Sequence, residues 1–259
     1  MSPVARDRLI AVVSPLVALA ILFGLWELVI KVRDIKELIL PAPSDILVQA
    51  WQTRDVLMEY VVFTGKEAMA GLLAAIAVSL FLAMLIHTND TLAGLGAGLA
   101  GAGRALPTIV LYPVVTVFLG TTSTAVIVII AITLIPLLFG YVLTGLTMRS
   151  DLDDLMHVAG ADGWQKFSLV RVPMALPYMV TGLRTALPLA VISAIVAEYF
   201  GGSTHTLGAF IRLQAGQLHT LDLWAAIVFA CLLGVVAFLV GDLLERMAVR
   251  RRGDSPVLL

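Results

Sequence analysis

Charge is scarce in this chain. Of its 259 residues only 14% are Asp, Glu, Lys or Arg, and 60% are hydrophobic; the mean hydropathy is +1.00. A soluble domain is about a quarter charged and at most about half apolar. A water-soluble globule is therefore excluded, and lipid must cover part of the apolar surface. The net charge is -1, which leaves no broad basic field for nucleic acid. The one cysteine, Cys231, lies in an apolar run; it can form no internal disulfide and reads as buried or lipid-facing filler. The four histidines, His87, His157, His205 and His219, lack i, i+4 metal spacing. Ser203 and His205 have no acid to orient them, so they form no hydrolytic constellation. Gly94 to Gly103 contains Gly-x-Gly, but no strand precedes it and no Gly-Lys-Ser/Thr follows, so a phosphate loop is missing. Its small residues instead let helices approach closely in lipid. No cleavable signal peptide is expected. The first apolar run starts at Leu9, after Arg6 and Arg8, and continues to Ile30 without a small-residue cleavage site.

What is present is a series of long apolar runs. A helix needs roughly 20 apolar residues to cross the hydrocarbon layer, and it satisfies its backbone internally. The runs predict an all-α integral membrane protein with six transmembrane helices over 9–30, 68–86, 95–119, 124–146, 175–196 and 223–241, in a single membrane domain over 1–259. Ala105 to Met148 holds no charge, and Gly120-Thr121-Thr122-Ser123 divides it. Lys and Arg placement sets orientation. Arg6, Arg8, Arg149, Lys166, Arg171, Arg246 and Arg250–Arg252 fall on one side, which predicts both termini in the cytoplasm. Lys31, Arg33, Lys36, Arg54, Lys66 and Arg212 fall on the other, mostly among acidic residues. Arg250-Arg251-Arg252 reads as a stop-transfer flank beside anionic headgroups.

Leu40-Pro41-Ala42-Pro43-Ser44 gives a rigid entry, after which Ser44 is expected to cap a short amphipathic helix over 45–53. The loop 149–172 has an acidic start, apolar Leu152, Leu155, Met156 and Ala159, and breaks at Gly160 and Gly163 before Trp164 to Pro173. Its apolar-aromatic face suits either docking to a partner or lying at the headgroups. Ionisable groups inside a bilayer are costly and usually face protein or water. Arg104 precedes Pro107, where a kink would suit a gate; snorkelling toward the interface is the plainer role. Arg184 reads as a structural partner of an acid or of helix carbonyls. Glu198 reads as a seam residue or part of an outer gate. Thr108, Tyr112, Thr116, Ser193 and Tyr199 are candidates for a polar path, although such hydroxyls often bond to their own backbone.

Asp154-Leu155-Met156-His157-Val158-Ala159-Gly160, Trp164-Gln165-Lys166-Phe167 and Val172-Pro173-Met174-Ala175-Leu176-Pro177 resemble the EAA loop of binding-protein-dependent ABC importer permeases. Gly160, Pro173 and Pro177 fall at the family's glycine and prolines. Asp154 stands for its glutamate, while Leu155 and Met156 depart from its two alanines. Leu40 to Ser44, Arg104 to Pro107 with Tyr112-Pro113, Thr181 to Arg184 and Ala197 to Gly201 resemble elements of the nitrate/sulfonate/taurine-type subfamily. The resemblance covers roughly residues 10 to 248.

It implies a type I ABC importer permease fold in a bacterial plasma (inner) membrane. A second permease copy or paralogue would complete the path, and a dimer of cytoplasmic ABC ATPases would bind ATP and magnesium, leaving this chain without a cofactor or a reaction of its own. An extracytoplasmic binding protein would deliver nitrate, a sulfonate, taurine, bicarbonate or a vitamin precursor. Asp154, Leu155, Met156, Gly160, Trp164 and Phe167 would couple to the ATPase. Arg104, Pro107, Thr108, Tyr112 and Glu198 are the candidates for pathway or gate. A secondary transporter or channel is the alternative, but it would need an internal repeat or a broken-helix ion site, and no convincing repeat is found.

Overall fold

The computed structural model describes residues 3–148, 155, 156, 158–201 and 204–250, and these hold helices and no strand. In chain order they are α1 (Pro3–Arg33), α2 (Pro43–Gln52), α3 (Arg54–Ile86), α4 (Asp90–Arg104), α5 (Tyr112–Leu119) and α6 (Ser123–Thr147). Then come α7 (Gly163–Gly201), α8 (Leu207–Gln217) and α9 (Thr220–Arg250). Five of these, α1, α3, α6, α7 and α9, are long and apolar enough to cross a membrane.

The chain forms two compact units, one of residues 1–58 with 210–229, the other of 59–209 with 230–259. In the first, Glu27 of α1 forms an ion pair with Lys31 at 2.7 Å and accepts the Ser44 N–H at 3.2 Å and the Ser44 hydroxyl at 2.8 Å. Ser44 is thus not the cap expected of it. Ala42 is the N-cap, in an extended conformation, and Pro43 opens α2; a helix's first turn has no use for the N–H that proline lacks. The Ser44 side chain is free to bind Glu27 instead. Within the same unit, Gln49 Nε2 donates to Asp222 at 2.6 Å, Thr220 Oγ1 donates to the Leu38 carbonyl at 2.8 Å, and Trp26 meets Trp224 edge-on at 5.2 Å.

In the second unit α6 is central, with half of its most apolar stretch buried. Small residues let its neighbours close in, as expected where lipid supplies no hydrophobic drive between helices. Gly145 of α6 faces the Ala175 backbone of α7, Gly182 of α7 faces Tyr141, and Gly71 of α3 faces Ile130. One core cluster joins Leu72 and Ala75 to Val126, Ile130, Leu134, Ala190 and Ala194. A second joins Ala83, Ala93 and Ala100 to Phe139, Leu143 and Ala175.

Three spans differ in form from the sequence expectation. The stretch 95–119 is not one helix. Asn89 Oδ1 caps α4 by accepting from the Thr91 and Leu92 N–H groups at 3.0 and 3.1 Å. The chain then breaks before Pro107, makes a 3-10 turn over Thr108–Leu111, and resumes as α5. At 15 and 8 residues, neither α4 nor α5 spans alone. Pro107 disfavours helix at the residue before it, and its ring blocks the preceding turn. Meanwhile α3 starts at Arg54 rather than near 68, because helix continues past an apolar run wherever its polar residues find partners.

The stretch 163–201 is likewise continuous. Asp162 and Gln165 form a reciprocal capping box at its start. Pro173 does not end it. One wide turn, Phe167–Arg171, closes with the Val172 N–H bonded to the Phe167 carbonyl five residues back. This bulge gives the proline ring room and absorbs its missing donor.

Candidate functional site

At one end of the second unit lies the segment expected to couple. Asp154 is outside the described residues. Leu155 and Met156 are helical, and Leu155 and Val158 are 63% and 88% exposed. The helix stops at Gly160, whose φ is +73°, and the Ala161 N–H returns to the Met156 carbonyl at 3.0 Å. That is a Schellman closure with Gly160 at its left-handed position. Trp164 is 72% exposed. Phe167, 5.8 Å from it, is half-buried against the second core cluster and lies 5.4 Å from the His87 ring. The expected aromatic anchor therefore divides: Trp164 faces outward and Phe167 fixes the segment to the bundle.

The pathway candidates separate as well. Arg104 Nη2 donates to the Leu137 carbonyl at 3.4 Å, and its guanidinium lies 5.8 Å from the Tyr141 ring centre. A Cβ at Gly140 would collide with that guanidinium, so this glycine lets Arg104 lie across α6. Pro107 is at the break and Thr108 opens the turn after it. Tyr112 is buried at the start of α5 and lines a cavity of about 140 Å³ together with Thr133, Ser193 and Phe200. Among the described residues, no ionisable side chain other than the tyrosine lines it. Thr133 already donates to its own backbone at Ile129, at 2.8 Å, leaving its oxygen to accept. Thr116 donates to Pro113 in the same manner, at 3.0 Å, and it and Tyr199 are not among the lining residues. Glu198 is fully buried; its Oε2 accepts the Thr64 hydroxyl at 3.0 Å and the Gly208 N–H at 2.9 Å.

Arg184 supplies the clearest electrostatic feature. Its two terminal nitrogens reach Asp242, at 3.2 Å, and Glu245 of α9. Arg246 also holds Asp242 at 2.6 Å, and the Thr181 hydroxyl donates to Glu245 at 2.9 Å. Two guanidinium groups and two carboxylates cancel locally. The network ties α7 to α9, and glycine at 241 permits it, since a Cβ there would lie 3.0 Å from the Arg184 Cα and 3.1 Å from its carbonyl oxygen. Arg184→Ala is expected to leave Glu245 without a cation, while Asp242 keeps Arg246, and to lower the yield of monodisperse detergent-extracted protein several-fold. Adding Glu245→Gln should restore much of the loss, as read by size-exclusion profiles. An unchanged profile in the single variant would deny the network a structural role.

Membrane-length helices crossing at glycines, an internally neutralised ionic clamp and a small cavity define a polytopic membrane protein. The family described as the binding-protein-dependent transport system inner membrane component matches residues 68–252, and the chain belongs to it. It is 27% identical over 237 residues to the riboflavin transport system permease protein RibX of Chloroflexus aurantiacus, covering 90% of this chain and 88% of that one. It is 30% identical to the formylaminopyrimidine transport permease protein ThiX of Halalkalibacterium halodurans, covering 87% and 90%. It is 26% identical to the putative aliphatic sulfonates transport permease protein SsuC of Escherichia coli, covering 88% and 87%. An inward facing structure of the MetNI methionine ABC transporter aligns with a TM-score of 0.64 at 20% identity, over 76% of this chain and 98% of that one. The fold is that of a type I ABC importer permease. The chain is a transport subunit and not an enzyme, with ATP hydrolysis belonging to a separate ATPase subunit.

Proposed function

We propose that this chain forms half of the translocation path of an ATP-driven importer, with both termini and the segment 149–172 on the cytoplasmic side. A second permease copy or paralogue supplies the other half, and the ATPase dimer holds ATP and magnesium. A binding protein delivers the solute from outside. Leu155, Met156, Gly160, Trp164 and Phe167 form the coupling surface, with Asp154 ahead of them. One observation carries this reading: Trp164 of the exposed apolar tip stands on the same unbroken helix that lines the cavity through Ser193 and Phe200, with Leu155 and Val158 just across the Gly160 reversal. An amphipathic tip of this kind fits a groove on a partner. Arg104 and Pro107 mark the hinge of the pathway, and Tyr112 and Thr108 its start.

The solute is small and polar, and the cavity lining favours the vitamin-precursor class over nitrate, sulfonate, taurine or bicarbonate. Three hydroxyls and two aromatic rings share the lining with Ile129, Ile192, Val196 and Ala197, and no cation among the described residues is there to hold an anion. The names of RibX and ThiX agree in direction; that of SsuC does not. The test is uptake into proteoliposomes holding this permease, its ATPase and its binding protein. Riboflavin or formylaminopyrimidine uptake should be saturable and ATP-dependent, and Thr133→Val with Ser193→Ala should reduce it about ten-fold, near 1.4 kcal/mol. Equal or faster uptake of an alkylsulfonate would overturn the solute class. Failure of a nucleotide-binding subunit to copurify would overturn the transport reading itself.

A further inference from the structure

Two carboxyl groups meet in the interior of the second unit, all but closed off from solvent. Glu198 of α7 is fully buried, and Glu67 of α3 keeps 6% of its surface. The two carboxyls are close enough to interact electrostatically, and Thr64, one turn before Glu67 on α3, bonds directly to Glu198. Glu198 is further held by the Gly208 N–H, while the Thr64 oxygen accepts the Leu207 N–H at 3.1 Å. The first turn of α8 is thereby anchored on a carboxyl group from another helix. Only glycine at 208 permits it, since a Cβ there would lie 2.6 Å from the Glu198 Cβ and 2.8 Å from the Tyr199 nitrogen.

What this cluster lacks is a donor. Glu67 Oε2 and Glu198 Oε1 are both buried, and no donor among the described residues reaches either. None of the ion pairs among the described residues includes Glu67 or Glu198. The nearby titratable groups are occupied elsewhere: Lys66 is exposed and lies over the Phe63 ring, and Tyr60 packs against His205. Glu59 and Tyr199 are likewise absent from the groups that bond to the pair. An ionised carboxylate is an acceptor only, so two of them cannot bond to each other. Burying both without a counter-charge would cost several kcal/mol for each.

We propose that Glu67 and Glu198 hold one proton between them, a buried proton-binding site that fastens α3 and α7 to the first turn of α8. The hydrogen moves along one O–H···O line between the two carboxyls, and the single negative charge that remains is met by the Thr64 hydroxyl, the Gly208 N–H and the positive end of α8. Removing that proton sets two like charges in contact and parts α3 from α7. The site goes beyond the transport reading and stands without it.

The test is infrared spectroscopy of the full chain in lipid nanodiscs at neutral pH. A protonated-carboxyl C=O band is expected in the wild type and should move when the protein is made with carboxyl-isotope-labelled glutamate. Glu67→Gln and Glu198→Gln should each abolish it, because the amide supplies the missing donor and leaves the other carboxyl ionised. Glu67→Gln should also keep the wild-type melting temperature, whereas Glu67→Ala should lower it. Absence of a glutamic acid band in the wild type overturns the proposal even if no variant folds. So does a band that survives in both glutamine variants.

Discussion

Replacing Gly160 by valine is expected to cut ATP-dependent uptake by about ten-fold or more, while Gly160→Asn stays close to wild type. The reason is conformational. A Cβ at this position would meet nothing within 4 Å, but φ is +73°. A left-handed conformation costs an ordinary L-residue roughly 1–2 kcal/mol, and a β-branched one is a genuine outlier there. Asparagine tolerates it. Valine would open the reversal between Met156 and Ala161 and turn Leu155 and Val158 away from Trp164. Membrane insertion and basal ATP hydrolysis should be unaffected; the losses should fall on uptake and on stimulation of the ATPase by the binding protein. Normal uptake and normal stimulation in Gly160→Val would remove the segment from the coupling path.

A second large effect is expected at Gly145. A Cβ there would stand 2.8 Å from the Ala175 Cα, 3.0 Å from its Cβ and 3.2 Å from its carbonyl oxygen. Two of those atoms are backbone, so no rotamer change relieves the clash. Gly145→Leu must push α6 and α7 apart at their crossing, a cost of ~1–3 kcal/mol or more for overpacking. The folded fraction after mild heating, read by size-exclusion chromatography, should collapse in Gly145→Leu and fall less in Gly145→Ala. Gly24→Leu is the control, because nothing lies within 4 Å of a Cβ at that position. Equal survival of Gly145→Leu and the control would show that the crossing is not close-packed.

The long apolar runs were legible in the sequence because lipid imposes one rule on every crossing helix, and length with composition reveals it. Interruptions were harder. Pro107 announced a kink, but whether a chain bends or stops and restarts depends on the partners its freed groups find. At 90–119 the answer is a 3-10 turn with a short helix on either side. Pro173 sent the same signal and had the opposite outcome, since a single wide turn absorbed it. The capping box at Asp162 and Gln165 could have been found from its Asp-x-x-Gln spacing ahead of Trp164. Glu67 carried no such sign. It sits at the edge of an apolar run, and its surroundings come from residues such as Glu198 that are far off in sequence; Thr64, one turn before it, bonds to Glu198 across 134 positions. Arg184 was legible as a group in need of a partner, but Glu245, 61 positions on, could be chosen only once α7 and α9 were laid side by side.

The wide turn under Pro173 has a mechanical consequence. It leaves 39 residues, from Gly163 to Gly201, in a single rod about 58 Å long at 1.5 Å per residue. Trp164 is at one tip, Arg184 is clamped partway along, and Ser193 and Glu198 lie near the other tip. Had the proline ended the helix, slack in a connecting strand would have soaked up any shove applied near Trp164. An unbroken shaft held at the Arg184 clamp is expected to carry a displacement at one tip to the other with its sense reversed.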